Sequence, residues 1–321
     1  MRTRLTDAFD LTHPIISAPM AYAAGGRLAA AVTHAGGLGL IGGGYGNARW
    51  LESAFAEAGN ARVGCGFITW KMAEAPEVLD QVLARNPAAL CLSFGDPAPF
   101  ADQIAEAGVP LICQVQTLRD AQRAAECDAR VIVAQGSEAG GHGERRGTFT
   151  LVPEVADWLA VHAPDVLLIA AGGIADGRGL AAALMLGADG VLVGSRFWAS
   201  EEAQVSQAMT EAALGATGDE TIRSTVMDAA RNLRWPERYT ARVLRNPVTD
   251  RWHDDPDGLR ADATAQAEWA EGWAVGDPAH ANTFVGEATG LIHDRPPVAD
   301  IINRMVSEAE ALLRRAPGWA G

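Results

Sequence analysis

Short apolar runs alternate with longer amphipathic stretches over the first two hundred residues of the chain. The runs are almost continuously apolar, which is typical of strands that are buried on both faces of a parallel sheet. They predict eight strands, at residues 14–20, 38–42, 62–69, 89–94, 110–115, 130–135, 166–171 and 190–193.

The stretches between these runs carry apolar residues three and four positions apart, which is the spacing of one face of an α-helix. They predict helices at residues 27–35, 48–58, 76–85, 99–107, 118–126, 152–162 and 178–186. Gly36, Gly59, Gly108 and Gly187 follow predicted helices at the position where a C-cap glycine is favoured. The unbroken alternation of strand and helix predicts an α/β fold, the (β/α)8 TIM barrel.

The alternation ends near residue 200. The chain has 321 residues, whereas a barrel of this type typically takes about 250. Tryptophans, prolines and charged residues become frequent between 220 and 281, which indicates a small, mostly helical cap. An amphipathic stretch at 298–315 predicts a last helix that packs on the barrel. We therefore expect a barrel of residues 1–218 and 284–321, with a cap of residues 219–283 inserted before the last helix.

Composition places the chain among globular proteins, since 48% of its residues are hydrophobic and 21% are charged. No apolar run reaches the roughly 18 residues of a membrane-spanning helix, and no signal-peptide pattern opens the chain, so we expect a cytoplasmic protein. The net charge of −14 argues against nucleic acids and anionic membranes as partners. A homodimer is one possible assembly.

The four cysteines show no spacing typical of a metal site. Cys65, Cys91 and Cys113 fall in predicted strands, and we interpret them as small buried hydrophobic residues. We therefore expect neither a disulfide nor a bound metal.

Three glycine-rich loops follow predicted strands, at the strand ends that face the ligand in α/β barrels. The loop at 134–147 carries His142, whose side chain has an unperturbed pKa of about 6.5 and can exchange a proton at neutral pH. Gly172 and Gly173 follow the seventh predicted strand, and Gly194 follows the eighth. These two turns suit a phosphate group, because barrels often bind phosphate there, although such glycines also serve simply to make tight turns.

The glycine loops belong to four segments that resemble the nitronate monooxygenase family: PIISAPM at 14–20, AQGSEAGGH at 134–142, AAGGIA at 170–175 and GADGVLVGSRF at 187–197. The resemblance covers nearly the whole chain. It implies an FMN-dependent barrel enzyme that oxidises alkyl nitronates, or nitroalkanes, with dioxygen to a carbonyl compound and nitrite. Two alternatives remain: an NAD(P)H-dependent flavin reductase acting on quinones or enoyl-thioesters on the same barrel, and a non-catalytic flavin binder.

The resemblance also implies the residues of the site. His142 matches the catalytic histidine of the family. The residues expected to hold FMN are Ala18, Pro19, Met20, Gln114, Gln135, Gly140, Gly141, Ala171, Gly172, Gly173, Gly194 and Ser195. Among these, Gly172, Gly173, Gly194 and Ser195 are expected at the phosphate, and the others at the ring and ribityl chain.

The sequence leaves the roles of four further side chains open. Arg196 either adds positive charge at the phosphate or pairs with an acidic neighbour. Glu138 either orients His142 or faces solvent, and we favour solvent. Trp235 and Tyr239 either line the substrate pocket or form the core of the cap, and we favour the core.

Overall fold

The computed structural model describes residues 1–315 of the chain. Residues 316–321, the end of the predicted barrel segment 284–321, lie outside the described residues. The described part contains eleven strands: β1 (Ile15–Ser17), β2 (Leu40–Gly44), β3 (Gly64–Ile68), β4 (Leu90–Ser93), β5 (Leu111–Val115), β6 (Val131–Gln135), β7 (Gly141–Gly143), β8 (Leu167–Ala171), β9 (Gly190–Val193), β10 (Thr221–Ser224) and β11 (Thr240–Leu244).

Eight of these strands form one parallel sheet in the order β1-β9-β8-β6-β5-β4-β3-β2. A parallel bridge between Ile16 and Leu38 joins the two ends of this order, so the sheet closes on itself. Helices lie between the successive strands, and the core consists of strand residues packed both inside the barrel and against the helices. The predicted (β/α)8 TIM barrel is confirmed.

The helices follow the predicted order. They are α1 (Arg4–Phe9), α2 (Gly26–His34), α3 (Ala48–Ala58), α4 (Thr69–Met72), α5 (Glu77–Leu83), α6 (Ala98–Glu106), α7 (Leu118–Glu126), α8 (Thr148–His162), α9 (Gly177–Met185), α10 (Ser195–Trp198), α11 (Gln207–Leu214), α12 (Val226–Ala230), α13 (Pro247–Trp252), α14 (Pro256–Ala261), α15 (Ala263–Val275) and α16 (Val298–Arg315). Short 3₁₀ helices span Gly218–Glu220 and Glu287–Leu291.

Side-chain caps fix where several helices begin. Asn47, Thr117 and Asp176 each accept a hydrogen bond from a backbone N–H of the first turn of α3, α7 or α9. Helix α8 begins four residues before its predicted start, at Thr148, whose backbone N–H donates to the carboxylate of Glu138, and Pro153 lies inside the helix.

The last helix packs on the barrel as predicted. Ile301, Ile302 and Met305 of α16 are buried, and α16 lies directly against α9. Gly177 permits this approach, since a Cβ at that position would lie 2.5 Å from the backbone nitrogen of Ala309.

A second sheet, which the sequence analysis did not predict, lies above the barrel. Its order is β10-β11-β7, and both pairings are antiparallel. Strand β7 belongs to the loop that follows β6, whereas β10 and β11 lie beyond residue 218. The sheet therefore joins the loop that carries His142 to the otherwise mostly helical segment 219–283.

Candidate active site

The carboxyl ends of the barrel strands surround a cavity of about 480 Å³. Active sites of TIM barrels lie at this end of the strands, and small-molecule sites typically have volumes of about 300–1,000 Å³. All the residues predicted to act in catalysis or in cofactor binding line this cavity: Ala18, Pro19, Met20, Gln114, Gln135, Gly140, Gly141, His142, Ala171, Gly172, Gly173, Gly194 and Ser195. The structure thus brings them together from five separate strand ends.

The loop after the first strand turns across the top of the barrel. Strand β1 ends at Ser17, three residues before the predicted end, so Ala18, Pro19 and Met20 leave the sheet. Glycines of the neighbouring strands make room for them. A Cβ on Gly42 would lie 2.1 Å from the carbonyl oxygen of Met20, and one on Gly66 would lie 2.5 Å from Cβ of Pro19.

The glycine turn after β8 has a backbone that other residues rarely adopt. Gly172 and Gly173 have φ angles of 98° and 75°, in the left-handed region where a side chain is strained. A Cβ on Gly172 would also lie 2.8 Å from the carbonyl oxygen of Gly136. Glycine is therefore needed here for both conformation and space.

The turn after β9 is connected to the segment that leaves the cap. The hydroxyl oxygen of Ser195 accepts a hydrogen bond of 2.9 Å from the backbone N–H of Gly286. Gly140 packs against the same segment, since a Cβ there would lie 2.6 Å from the carbonyl carbon of Val285. The walls of the cavity near residues 140, 195 and 286 thus support each other.

His142 lies in β7, directly opposite Ala241 of β11. Its Nε2 is 2.9 Å from Oδ2 of Asp228, and both side chains are buried. Burial lowers the pKa of His142 below its ordinary value, because it disfavours the imidazolium, and the hydrogen bond to Asp228 partly opposes this shift. The arrangement therefore holds a neutral imidazole at neutral pH.

Asp228 is in turn held by Arg231 on the cap side of the cavity. Nη2 of Arg231 donates to Oδ1 of Asp228 at 2.9 Å, and Nε donates to the carbonyl oxygen of Met227 at 2.9 Å. Both carboxylate oxygens of Asp228 are thus engaged, one by His142 and one by Arg231. This leaves the carboxylate little freedom to rotate.

The indole of Trp235 covers one face of the His142 ring. The two rings are stacked, with centroids 3.4 Å apart and planes inclined by 6°. Nε1 of Trp235 donates to the hydroxyl of Tyr45 at 3.3 Å. Phe94 makes T-shaped contacts with both the imidazole and the indole. The imidazole is therefore fixed in orientation by its ring faces as well as by its hydrogen bond.

Gln135 supports the backbone of the histidine loop. Its Nε2 donates to the carbonyl oxygen of His142 at 3.1 Å, and its Oε1 accepts from Nε2 of Gln116 at 2.8 Å. These bonds place His142 relative to the end of β6.

The structure shows which alternative holds for Glu138 and for Arg196. Glu138 accepts hydrogen bonds from the backbone N–H of Thr148 at 3.0 Å and from its hydroxyl at 2.9 Å. Glu138 thus caps the start of α8. The expectation that it faces solvent is wrong, and so is the alternative that it orients His142. Nη1 of Arg196 is 3.0 Å from Oδ1 of Asp294, which confirms pairing with an acidic neighbour. Arg196 is buried and lies outside the cavity lining.

The two cap aromatics differ. Trp235 lines the cavity, so our preference for a place in the cap core is wrong for this residue. Tyr239 is buried beside Phe94, with ring centroids 5.3 Å apart, and lies outside the lining of this cavity.

Asp228 and Arg231 are the site residues that the sequence analysis missed. Asp228 is 86 residues away from His142 in the chain and lies on the short helix α12. No spacing or motif relates the two, and the only signal available was a carboxylate within the predicted cap.

Comparison with known proteins identifies the family. The family model for nitronate monooxygenase matches residues 2–61 and 68–308. The chain belongs to the nitronate monooxygenase family. A nitronate monooxygenase from Neurospora crassa is 34% identical, and the alignment covers 99% of this chain and 95% of the relative.

Solved structures agree with this assignment of the fold. FabK from Thermotoga maritima is 30% identical, with a TM-score of 0.85 over 99% of each chain. A nitroalkane oxidase from Streptomyces ansochromogenes is 22% identical, with a TM-score of 0.80 over 97% of this chain and 99% of that one, and shows the same fold.

Membership of this family makes the protein an oxidoreductase of a flavin-dependent group. Within residues 1–315, no helix combines the length and apolar character that crossing a bilayer requires.

Proposed function

We propose that this nitronate monooxygenase family member binds FMN and oxidises alkyl nitronates with dioxygen, forming a carbonyl compound and nitrite. The observation that carries the proposal is His142, which is buried, held by Asp228 and placed on the lining of the cavity. A sensor or store of flavin would not need a base in this position.

The residues of the cavity fit FMN. The positive φ angles of Gly172 and Gly173 and the absence of side chains there leave a concave turn of backbone between β8 and α9. We infer that this turn, with Gly194 and Ser195, would hold the phosphate. Ala18–Met20, Gln114, Gln135, Gly140, Gly141 and Ala171 would hold the ring and ribityl chain. Bound FMN supplies electron transfer from the substrate to dioxygen.

The protein's own part in the reaction centres on the imidazole. An ionised carboxylate can only accept hydrogen bonds, so Nε2 of His142 carries the ring proton and its N–H donates a hydrogen bond to Asp228. Nδ1 then holds the free lone pair and can take the α-proton of a nitroalkane. Once protonated, the same Nδ1–H donates to an oxygen of the nitronate, while Asp228 stabilises the imidazolium.

Trp235 excludes water from one face of the imidazole, and the Arg231 guanidinium balances the charge of Asp228. With that balance, the imidazolium that forms when His142 takes the α-proton is the net positive group that faces the anionic nitronate. We infer that the cap segment 219–283 acts as a substrate domain over the barrel. A homodimer and a cytoplasmic location stay predictions.

A flavin reductase that takes hydride from a nicotinamide is the second candidate. It is the alternative that the sequence left open on the same barrel, and the similarity to FabK, which spans 99% of both chains, is compatible with it. Anaerobic mixing of the FMN-loaded protein, separately with butyl-1-nitronate and with NADH, distinguishes the two. We expect the nitronate to bleach the flavin absorbance, NADH to leave it unchanged, and aerobic turnover to release nitrite. Bleaching by NADH alone would establish the reductase, and no response to either would leave a flavin binder.

A further inference from the structure

Apolar side chains are exposed at the mouth of the active-site cavity. Among residues 1–315, seven large apolar side chains are exposed, and three of them line this cavity: Tyr22, Trp273 and Val275, with exposed fractions of 40%, 36% and 71%. We call these three residues the apolar rim. Clustered exposed apolar surface beside a cavity marks a place where a ligand makes apolar contact.

The cap half of the apolar rim is held firmly in place. Trp273 stacks on Trp269, with centroids 5.5 Å apart and planes inclined by 7°, and meets Phe284 edge-on at 5.9 Å. Immediately after Val275, the carbonyl oxygen of Gly276 accepts a hydrogen bond of 2.8 Å from the hydroxyl of Ser206. The end of helix α15 is thereby fastened beside the cavity, so Val275 is exposed without being free to fold back.

Tyr22 forms the barrel half of the apolar rim and has a strained backbone. Its φ angle is 62°, in a region that bulky residues rarely occupy, and such outliers concentrate at functional sites. Its ring meets Trp50 edge-on, with centroids 5.7 Å apart. The barrel thus contributes an exposed aromatic ring to the same cavity that Trp273 lines from the cap.

The rim offers no charge to a substrate. Besides His142, the cavity lining contains one basic side chain, Arg231, and one carboxylate, Glu138. Arg231 is bonded to Asp228, and Glu138 is bonded to Thr148. A substrate with a second anionic group would therefore find its negative end among apolar side chains, whereas an alkyl chain would gain contact there.

We propose that the apolar rim binds the alkyl chain of the substrate, so that the enzyme's preferred substrates are long-chain, uncharged-tail nitronates rather than short or carboxylated ones. This inference rests on the proposed function. Each methylene that enters the rim contributes hydrophobic transfer free energy, which corresponds to about two- to fourfold in kcat/KM.

The test is a chain-length series. Values of kcat/KM are measured for linear primary nitronates of two to eight carbons with the wild-type, FMN-loaded protein. We expect kcat/KM to rise with length to a total on the order of tenfold or more. A flat series overturns the inference while leaving the proposed function intact, whereas absence of turnover with every nitronate overturns the proposed function itself.

Two variants locate the effect at the rim. Val275→Asp is expected to reduce the ratio of kcat/KM for octyl to ethyl nitronate by about tenfold, since it places a charge beside the chain. Its matched control is Val161→Asp on α8, which is 75% exposed and lies off the cavity lining. Trp273→Ala, paired with Phe149→Ala as its control, covers the case in which Val275→Asp fails to fold. Equal ratios in rim and control variants would refute the proposal.

Discussion

At the scale of single residues, the site depends on a contact that no local pattern could reveal. His142 was predictable because a histidine in a glycine loop after a buried strand lies at the ligand-facing end of a barrel. Asp228 was not, because its approach to His142 requires β7 to pair with β11 and the cap helix α12 to lie beside β7. The local sequence was enough to identify the candidate base, whereas the carboxylate that contacts it is brought there by tertiary structure.

Replacing the imidazole tests the first of these residues. His142→Ala is expected to lower kcat/KM for a neutral nitroalkane by roughly a hundredfold or more, which is the usual contribution of general acid-base catalysis. FMN content, measured by absorbance after gel filtration, is expected to stay at the wild-type level. His162→Ala, at the exposed end of α8, serves as the control. Unchanged activity in His142→Ala would refute its role as base.

Asp228→Asn tests the carboxylate through pH. In the wild type, kcat/KM for a neutral nitroalkane should fall as pH drops through the pKa of His142, which burial places below the ordinary value of about 6.5. Asp228 raises that pKa, so its neutral replacement should move the acidic limb to lower pH. The plateau should also fall on the order of tenfold or more, because the tautomer is no longer fixed.

The matched control for this variant is Asp257→Asn, which neutralises a fully exposed carboxylate of the cap. It should leave both the limb and the plateau unchanged. If kcat/KM of Asp228→Asn fell over the same acidic pH range as in the wild type, His142 would not be the group that titrates.

At the scale of elements, the hydrophobic pattern predicted the barrel because each strand is a short apolar run and each helix an amphipathic one. Helix α7, for example, has the predicted bounds, fixed by the Thr117 cap. Strand β7 was missed because it consists of Gly141, His142 and Gly143, which carry no apolar alternation. A three-residue strand of this composition forms only because β11 is there to pair with it.

The glycine turn after β8 gives a prediction at this scale. Gly173→Asp should abolish retention of FMN, because it introduces a carboxylate and a side chain into the turn proposed to hold the phosphate. Gly108→Asp is the control: its φ is 69°, and a Cβ there would meet nothing within 4 Å. That variant should lose only about 1 kcal/mol of stability from its backbone conformation. FMN binding by both variants is measured by flavin titration followed by absorbance. Full FMN occupancy in Gly173→Asp would place the phosphate elsewhere.

At the scale of the whole molecule, the cap and barrel meet through aromatic side chains around Trp235. This residue stacks on His142, meets Phe94 and Trp70 edge-on, and donates to Tyr45. The sequence predicted a cap but could not place it, since the aromatic contacts join segments that are distant in the chain. The same indole thus serves both the active site and the attachment of the cap.

Trp235→Ala should therefore weaken both the catalytic activity and the attachment of the cap to the barrel. Removal of a large, partly buried ring is expected to lower the free energy of unfolding by about 2–4 kcal/mol, measured by urea denaturation. It should also lower kcat/KM, because the imidazole loses its stacking partner. Trp252→Ala, at the end of α13 within the cap, is the control for loss of a tryptophan that does not touch His142. Loss of stability in the control alone would contradict the proposed attachment.

The cysteines in the barrel strands affect how the protein resists oxidation by its own substrate, dioxygen. Cys65, Cys91 and Cys113 are buried in β3, β4 and β5, as expected. Burial raises the pKa of the thiols of Cys65 and Cys113 and raises that of Cys91 to about 12. Oxidants attack the thiolate rather than the thiol. An enzyme that uses dioxygen at the carboxyl ends of the barrel strands thus carries these three thiols in a form that resists oxidation.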